Sequence, residues 1–320
     1  LMLFTMAVAW VIVAAVVVTG GQAAAQDQVT LRFSTFDTGD GLERNENVIA
    51  AFTEETGINV EFEPAESAAD PAILVQMAAG TAPDVIQTGE LALRRRALAE
   101  EGGYLDLTPY IEADGDFSAD MFFDTVWDVG VLDGGVYALN KDFATVAYYV
   151  NTDKFEEAGI PVPEEGWTYD DLISIGMELT IDANGNNATS PDFDAENIVQ
   201  YGWYVPYDWV RGWQPLVYSM GGQLLSEDGM TATGYINSEA VVKAIEFYRD
   251  AAHVYHIIPT VAALDAQPGV DLFGAGQAAI RGPRGPWHLT SYSENPDINF
   301  AIVPMPAGEA GRYSVTVSYT

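Results

Sequence analysis

The sequence contains no cysteine, only three histidines and only three lysines. Without cysteine, the chain has no disulfide, no thiolate metal ligand, no cysteine nucleophile and no lipid-bearing cysteine behind a signal sequence. His253 and His256 lie three residues apart, but the Glu-x-x-His context of a zinc helix and a third histidine nearby are both missing. We therefore expect no metal site built on histidine.

Familiar catalytic and cofactor motifs are also missing. The sequence has neither a Gly-x-Ser-x-Gly elbow nor a Walker loop. Residues 274–279 have the glycine spacing of a dinucleotide loop, but they follow a predicted helix end and precede a predicted strand, whereas phosphate binding needs a glycine loop that opens a helix. We therefore expect no cofactor.

Basic residues are scarce. Acidic residues outnumber them by 47 to 13, which gives a formal net charge of −34. Such a charge disfavours nucleic acid and anionic membrane surfaces as partners. A carboxylate-rich and lysine-poor composition is typical of proteins from saline habitats and of many acidic exported proteins, and it leaves both origins open.

An uncharged, apolar segment opens the sequence. Residues 1–18 carry no charge, and the small residues before Gln26 resemble the Ala-x-Ala site of signal peptidase. We expect residues 1–25 to be a signal peptide that is cleaved after Ala25, which predicts a periplasmic or extracellular protein. The apolar run is also long enough for an uncleaved membrane anchor, which is the alternative.

Predicted strands and helices alternate in the first third of the chain. Residues 28–36, 58–62 and 84–89 have the patterns of strands, and residues 46–56 and 70–79 have helical spacing. This order predicts an α/β lobe.

The same pattern continues in the rest of the chain. We predict strands over residues 135–140, 145–151 and 300–306, a helix that Thr168 caps, and a helix over residues 238–253. No fixed repeat is present, which excludes solenoids and propellers.

Two motifs resemble those of a known family. They are residues 79–85, Ala-Gly-Thr-Ala-Pro-Asp-Val, and the run Phe273-x-x-Gly-x-Ala-Ala279 that leads into Gly285-Pro286-Trp287. Both are similar to motifs of family 1 of the extracellular solute-binding proteins of ABC importers, which includes maltose- and multiple-sugar-binding proteins. The resemblance covers residues 29–320. It implies a non-enzymatic receptor with the two-lobed α/β periplasmic-binding-protein fold of class II, which closes on a carbohydrate between its lobes and docks on a membrane permease.

The resemblance also implies how the lobes divide. Lobe 1 would take residues 26–140 and lobe 2 residues 141–308, with a first hinge near residue 140 and a second hinge in residues 309–320. In the family, the chain then returns to lobe 1. We therefore expect the C-terminal part of the fold to be missing from this sequence, and we expect a monomer.

Aromatic residues are the first candidates for ligand contacts. A sugar has C–H faces that pack on aromatic rings and hydroxyl edges that need paired donors and acceptors. Five aromatic residues lie between positions 203 and 213, and Trp287 follows a Gly/Pro turn. We predict that Trp209, Trp213 and Trp287 face the ligand and that Trp203, on a strand, lies in the core.

Tyr148 and Tyr149 are adjacent on a predicted strand. Because side chains alternate along a strand, only one of the two can face the ligand, and we favour Tyr148.

Polar candidates lie on loops that follow strands. Asp37, Asp40 and Glu90 are placed where a carboxylate can accept two hydroxyl hydrogen bonds, although solvated loop acids are the alternative. Arg284, like Arg281, flanks a Gly-Pro turn beside the last tryptophan. Either could bridge a pair of hydroxyls or an acidic sugar, and an ion pair with a nearby carboxylate is equally open.

Residues 182–187 resemble the first half of a calcium loop. Asp182, Asn184 and Asn186 offer oxygen ligands at alternate positions, but the twelfth position is Phe193 in place of the bidentate glutamate. The segment is therefore a weak calcium candidate, and we predict no other metal site.

Three functions fit these features. The resemblance favours the importer receptor, while a secreted glycoside hydrolase and a rigid lectin-like module are the alternatives. Many aromatic residues and few lysines favour a neutral sugar or short oligosaccharide as ligand; polyols and glycerol phosphate stay open.

Overall fold

The computed structural model describes residues 29–67, 71–89, 102–205 and 209–319. The chain divides into two compact units, Leu1–Gln87 (unit 1) and Thr88–Thr320 (unit 2). The predicted signal peptide and Glu90 lie outside the described residues. Within the described ranges, no helix is long and apolar enough to cross a membrane.

Unit 1 is built on a three-stranded parallel sheet with the order β2-β1-β3. Phe33 of the central strand pairs with Phe62 on one side and Val85 on the other. Its elements are β1 (Thr30–Thr35), α1 (Asp40–Thr56), β2 (Asn59–Pro64), α2 (Pro71–Ala79) and β3 (Val85–Ile86). The predicted strand-helix alternation is confirmed here.

Helix α1 begins six residues earlier than its apolar spacing predicted. Asp40 and Glu43 lie in its first turn, where negative charge interacts favourably with the helix dipole. Apolar spacing does not reveal this turn because Leu42 is its only large apolar side chain. The helix ends at Gly57, which adopts the left-handed conformation that favours glycine.

Unit 2 contains a five-stranded sheet with the order β11-β7-β10-β9-β8. In this sheet β9 and β10 are parallel neighbours, while β7 runs antiparallel to both β10 and β11. The strands of unit 2 are β4 (Val131–Leu132), β5 (Gly135–Val136), β6 (Asp142–Thr145), β7 (Ala147–Asn151), β8 (Ile181–Asp182), β9 (Ile198–Tyr204), β10 (Ala278–Arg284), β11 (Phe300–Val303), β12 (Ala307–Gly308), β13 (Gly311–Arg312) and β14 (Thr316–Tyr319).

Unit 2 also contains helices, several of which pack against this sheet. They are α3 (Thr108–Ala113), α4 (Asp124–Trp127), α5 (Thr152–Ala158), α6 (Tyr169–Leu179), α7 (Val210–Ser219), α8 (Glu239–His253), α9 (Val261–Asp265) and α10 (Leu289–Glu294), with short 3-10 turns at Ala119–Met121, Asp128–Gly130 and Pro286–His288. The predicted cap of α6 is confirmed: the hydroxyl of Thr168 accepts from the N–H of Asp171, whose carboxylate accepts from the N–H of Thr168.

The core of unit 2 centres on Trp203, whose side chain is completely buried, as predicted. Its ring stacks on Tyr148 and Tyr248, with ring centroids 6.2 Å and 5.5 Å away. Tyr148 in turn meets Trp167 edge to face. Large aromatic side chains therefore join β7 and β9 to the helices packed on the sheet.

The segment before β10 differs from its prediction. The apolar residues there suggested a helix end, but residues 272–276 form turns. The backbone N–H of Ala275 donates to the carbonyl of Asp271, and the N–H of Phe273 donates to the Asp271 carboxylate. A side chain that bonds its own backbone two residues on favours a turn over a helix.

Strands β6 and β14 pair antiparallel, with Thr145 opposite Thr316 and Asp142 opposite Tyr319. They lie in or beside the two segments predicted as hinges. The fold thus places both segments next to each other, although they are far apart in the sequence.

Candidate functional site

The carboxyl ends of β9 and β10 lie at the same edge of the unit 2 sheet, because the two strands are parallel and Tyr204 is paired with Arg281. Trp209 follows β9 and occupies the N-cap position of α7. Trp287 follows β10 in the 3-10 turn Pro286–His288. Ligands of α/β sheets bind at such strand ends.

Trp209, Arg284 and Trp287 form one group, called here the tryptophan cluster. The two indole rings meet edge to face, with centroids 5.5 Å apart and planes at 85°. The guanidinium carbon of Arg284 lies 5.7 Å from the Trp209 ring and 5.3 Å from the Trp287 ring, within cation–π range. Trp287 is 42% exposed. The cluster combines an accessible aromatic surface with a hydrogen-bond donor.

Two hydrogen bonds from the sheet hold the turn that carries Trp287 and the end of β10 that leads into it. The hydroxyl of Tyr149 donates to the carbonyl of Gly285 at 2.9 Å, and the indole N–H of Trp203 donates to the carbonyl of Gly282 at 2.7 Å. The indole of Trp287 lies directly on Gly285, where a Cβ atom would come within 1.8 Å of the ring. Only glycine leaves room for the ring in this position.

Gly285→Ala is therefore expected to displace the Trp287 ring. The backbone at Gly285 has φ −85°, which alanine adopts freely, so the effect comes from the ring contact and the fold persists. We expect ligand affinity to fall about tenfold, because a contact surface must be held to within about 0.5 Å. Titration calorimetry measures this, with Gly115→Ala as control, since a Cβ there meets no atom within 4 Å. An unchanged affinity would contradict the assigned role of Trp287.

A second group of polar side chains lies behind the tryptophan cluster. Arg281 is only 4% exposed, and its guanidinium carbon lies 4.1 Å from the centre of the Tyr204 ring. Its Nη1 is 3.4 Å from the carboxylate of Asp271, which also accepts a 2.6 Å hydrogen bond from the hydroxyl of Tyr292. The guanidinium of Arg284 contacts Nε2 of His288 at 2.7 Å.

Burial and like charge shift the titration of this group. Burial, followed by the charges of Arg284 and Arg281, lowers the pKa of His288 to about 4, although the Asp271 carboxylate acts in the opposite direction. Burial, followed by the charge of Arg281, also lowers the pKa of Arg284. At neutral pH His288 is therefore uncharged, and Arg284 keeps its charge, since even a lowered arginine pKa stays far above 7.

In unit 1, Asp37 belongs to a hydrogen-bonded polar network at the carboxyl end of β1. Its carboxylate accepts from the side-chain amides of Asn45 at 2.9 Å and Gln87 at 3.2 Å. The hydroxyl of Thr35 donates to Gln87 at 2.6 Å. Asn45 and Gln87 were missed from the sequence, although the position of Gln87 directly after β3 is a signal that could have found it. Asp40, the first residue of α1, is exposed.

The other predicted aromatic contacts lie elsewhere in unit 2. Trp213 is one helical turn into α7 and lines a cavity of about 320 Å³ together with Tyr248 and Arg249. Tyr148 is completely buried in the core, whereas Tyr149 reaches the turn of Trp287. The site proposed below therefore does not include Tyr148.

Asp182, the weak calcium candidate, holds its own loop together. Its carboxylate accepts from the backbone N–H groups of Asn184, Asn186 and Asp194 and from the side-chain amide of Asn186. A cation would have to displace these donors. Within the described ranges, no group of three or more His, Asp or Glu side chains is arranged to hold a metal ion.

The Asp182 loop predicts a pH effect. Burial acts to raise the pKa of Asp182, but the N–H donors of Asp194, Asn186 and Asn184 outweigh it and hold the pKa at about 2, below the ordinary 3.8. Because the pKa of Asp182 is lower in the folded protein than in the unfolded chain, its carboxylate stabilises the fold at pH values above 3.8. This stabilisation is lost as the pH falls towards 2.

We therefore expect Asp182→Asn to lower the melting temperature by several degrees at pH 7 and to flatten its decrease between pH 4 and pH 2. Thermal unfolding across this range measures both effects. Asp192→Asn, on the exposed part of the same loop, is the control. Equal pH profiles for Asp182→Asn and the parent chain would contradict the prediction.

Comparison with known proteins defines the family. Residues 37–320 match the family model of the bacterial extracellular solute-binding proteins. The chain belongs to this family, as its motifs suggested.

A curated relative supports the same class. A binding protein of Brucella abortus (strain 2308) is 25% identical over 201 residues, which are 62% of this chain and 45% of that protein. The match thus spans less than half of the relative's length.

Solved structures share the fold. An ABC substrate-binding protein from Listeria monocytogenes, in complex with cycloalternan, is 23% identical in sequence, with a TM-score of 0.77. The match covers 92% of this chain and 70% of that chain. A solute-binding protein from Thermotoga lettingae, bound with α-D-tagatose, is 21% identical over 91% and 71% of the two chains, with a TM-score of 0.72.

A maltose/maltodextrin-binding domain from Bdellovibrio bacteriovorus, bound to maltotriose, is 20% identical over 91% and 70% of the chains, with a TM-score of 0.68. These similarities confirm the predicted fold class, the two-lobed α/β fold of solute-binding proteins.

Proposed function

We propose that this chain is the extracellular substrate-binding component of an ABC importer and that its ligand is a carbohydrate. The tryptophan cluster is the observation that carries the proposal. It provides an exposed indole face for the C–H surface of a sugar and an arginine beside it for hydroxyl groups. The sugars named with the solved structures above support the same ligand class.

In this proposal the protein binds and releases its ligand without chemical change. Closure of the two lobes would present the loaded form to a membrane permease, and the pairing of β6 with β14 supports hinges near residues 140 and 309–320. The boundaries of the lobes, at residues 26–140 and 141–308, are part of the proposal. So are export through a cleaved signal peptide, action as a monomer, and ligand contacts by Asp37, Asp40 and Glu90 in addition to the tryptophan cluster.

A ligand screen tests the proposal. The protein is incubated with mono- and oligosaccharides, and with glycerol phosphate and polyamines as controls, while thermal unfolding and tryptophan fluorescence are recorded. A ligand at a hundred times its Kd stabilises the folded state by about 2.7 kcal/mol, so the expected result is a clear upward shift in melting temperature with one class of saccharide.

Other outcomes have distinct meanings. A response to a control solute alone would overturn the carbohydrate ligand and leave the binding function in place. Cleavage of an oligosaccharide, followed by chromatography, would overturn the non-enzymatic role. Solution scattering compares the shape of the protein with and without ligand. A more compact shape with ligand would support closure, and an unchanged shape would favour a rigid lectin.

A further inference from the structure

Positive charge is concentrated at the tryptophan cluster in a chain that has very little of it. Arg281 and Arg284 lie three residues apart on β10, whereas the whole sequence has 13 basic residues and a net charge of −34. They are called here the arginine pair. Burying two like charges at one site opposes folding unless something compensates for them.

The described part of the chain compensates for this charge only in part. Within the described residues, Asp271 is the carboxylate that forms an ion pair with Arg281, and His288, with its pKa of about 4, adds no charge at neutral pH. Two guanidinium groups and one carboxylate leave one positive charge. The Asp271 carboxylate also accepts hydrogen bonds from the hydroxyl of Tyr292 and the backbone N–H of Phe273, so several donors share it.

Several guanidinium donors have no hydrogen-bond partner among the described residues. Nε and Nη1 of Arg281 and Nε of Arg284 are buried and make no hydrogen bond to the described part of the chain. Arg281 is 4% exposed, while Arg284 is only partly buried and lies over both indole rings. A ligand can therefore contact Arg284. The buried Arg281 contributes its positive charge without contacting the ligand.

We propose that the ligand is an acidic saccharide whose carboxylate is bound by Arg284. This rests on the proposed function and departs from the neutral sugar that the overall composition favours. A guanidinium fork matches a carboxylate with two parallel hydrogen bonds, and the neighbouring Trp287 face would take the sugar ring. The single surplus charge matches a carboxylate, which carries one negative charge, better than a phosphate, which carries about two at neutral pH.

The net negative charge of the protein does not prevent a negatively charged saccharide from binding at Arg284. At physiological ionic strength the screening length is about 8 Å, so exposed acids farther away are largely screened. The arginine pair acts at contact distance in a partly buried place, where charges interact more strongly than in water. Local charge therefore decides which ligand is favoured.

Matched ligands test the inference. For each saccharide class that binds, titration calorimetry compares the uronate with its neutral counterpart, namely galacturonate with galactose and glucuronate with glucose, each as mono- and disaccharide. The uronate is expected to bind at least about tenfold more tightly, since charge-assisted hydrogen bonds are roughly twice as strong as neutral ones.

Arg284→Gln is expected to weaken uronate binding about thirtyfold and to weaken neutral binding by a smaller factor, because Arg284 also donates to sugar hydroxyl groups. Arg284→Lys keeps the charge and should restore part of the preference. Arg249→Gln is the matched control, because this arginine is exposed on α8 and pairs with Glu246 and Asp250.

The outcomes separate this inference from the proposed function. Neutral sugars that bind as tightly as their uronates would overturn the inference and leave a carbohydrate receptor. A sulfated sugar that binds more tightly than the uronate would overturn the carboxylate assignment. A response to no saccharide at all would overturn the proposed function itself.

Discussion

Replacing Trp287 with alanine is expected to weaken carbohydrate binding by about a hundredfold. The indole is 42% exposed and is held in place by Gly285 on one side and the Trp209 ring on the other. A well-placed aromatic anchor contributes about 2–4 kcal/mol to binding, and a factor of ten in Kd corresponds to about 1.4 kcal/mol. The free energy of unfolding should change little, because the side chain of Trp287 is far from fully buried.

Calorimetry with the saccharide found in the screen, together with chemical denaturation of the same variant, measures both quantities. Tyr110→Ala is the control, because Tyr110 is also an exposed aromatic side chain, 63% exposed on α3, and is not part of the tryptophan cluster. If Trp287→Ala binds the saccharide as well as the control variant does, the tryptophan cluster is not the carbohydrate site.

Local sequence patterns were sufficient for much of the fold. The alternation in unit 1, the capped helix α6, the helix α8 and the core position of Trp203 were predicted from spacing and composition alone. Each depends on neighbours within one or two turns of chain. Helix α7 was not predicted, because Pro215 lies in its interior and proline usually breaks a helix.

Trp209 and Trp213 were treated alike in the prediction because the residue at which α7 begins was not predicted. Four residues apart on one helix, the two side chains would share a face. In the structure Trp209 has the extended backbone of a cap, so only Trp213 follows the helical direction. Trp209 joins Trp287, and Trp213 lines the cavity beside Tyr248.

Contacts between distant parts of the chain explain the rest. The bond from Tyr149 to Gly285 joins residues 136 positions apart, and the network of Asp37 and Gln87 joins residues 50 apart. The ion pair of Arg281 with Asp271 depends on the turn that replaced the predicted helix end. Spacing rules describe neighbours along the chain, so they identified the residue types at the site but not how these residues meet.

Trp203→Ala is expected to destabilise unit 2 by about 4 kcal/mol, the usual cost of truncating a fully buried tryptophan. The ring is 0% exposed, stacks on Tyr148 and Tyr248, and donates to the carbonyl of Gly282. The variant leaves a cavity and a buried carbonyl without its donor. In a unit of this size the loss corresponds to a decrease of roughly 10 °C in melting temperature, which thermal and chemical denaturation both measure.

Trp203→Phe separates the two causes, because it keeps most of the ring and removes only the indole N–H. We expect it to cost about 1–3 kcal/mol, the penalty of an unsatisfied buried carbonyl. Gly282 lies near the end of β10, just before the turn that carries Trp287. The ligand affinity of Trp203→Phe should therefore also fall, though less than that of Trp287→Ala. A Trp203→Phe variant that is destabilised but binds normally would mean that Tyr149 alone holds the turn. A fully stable Trp203→Ala variant would contradict the core position itself.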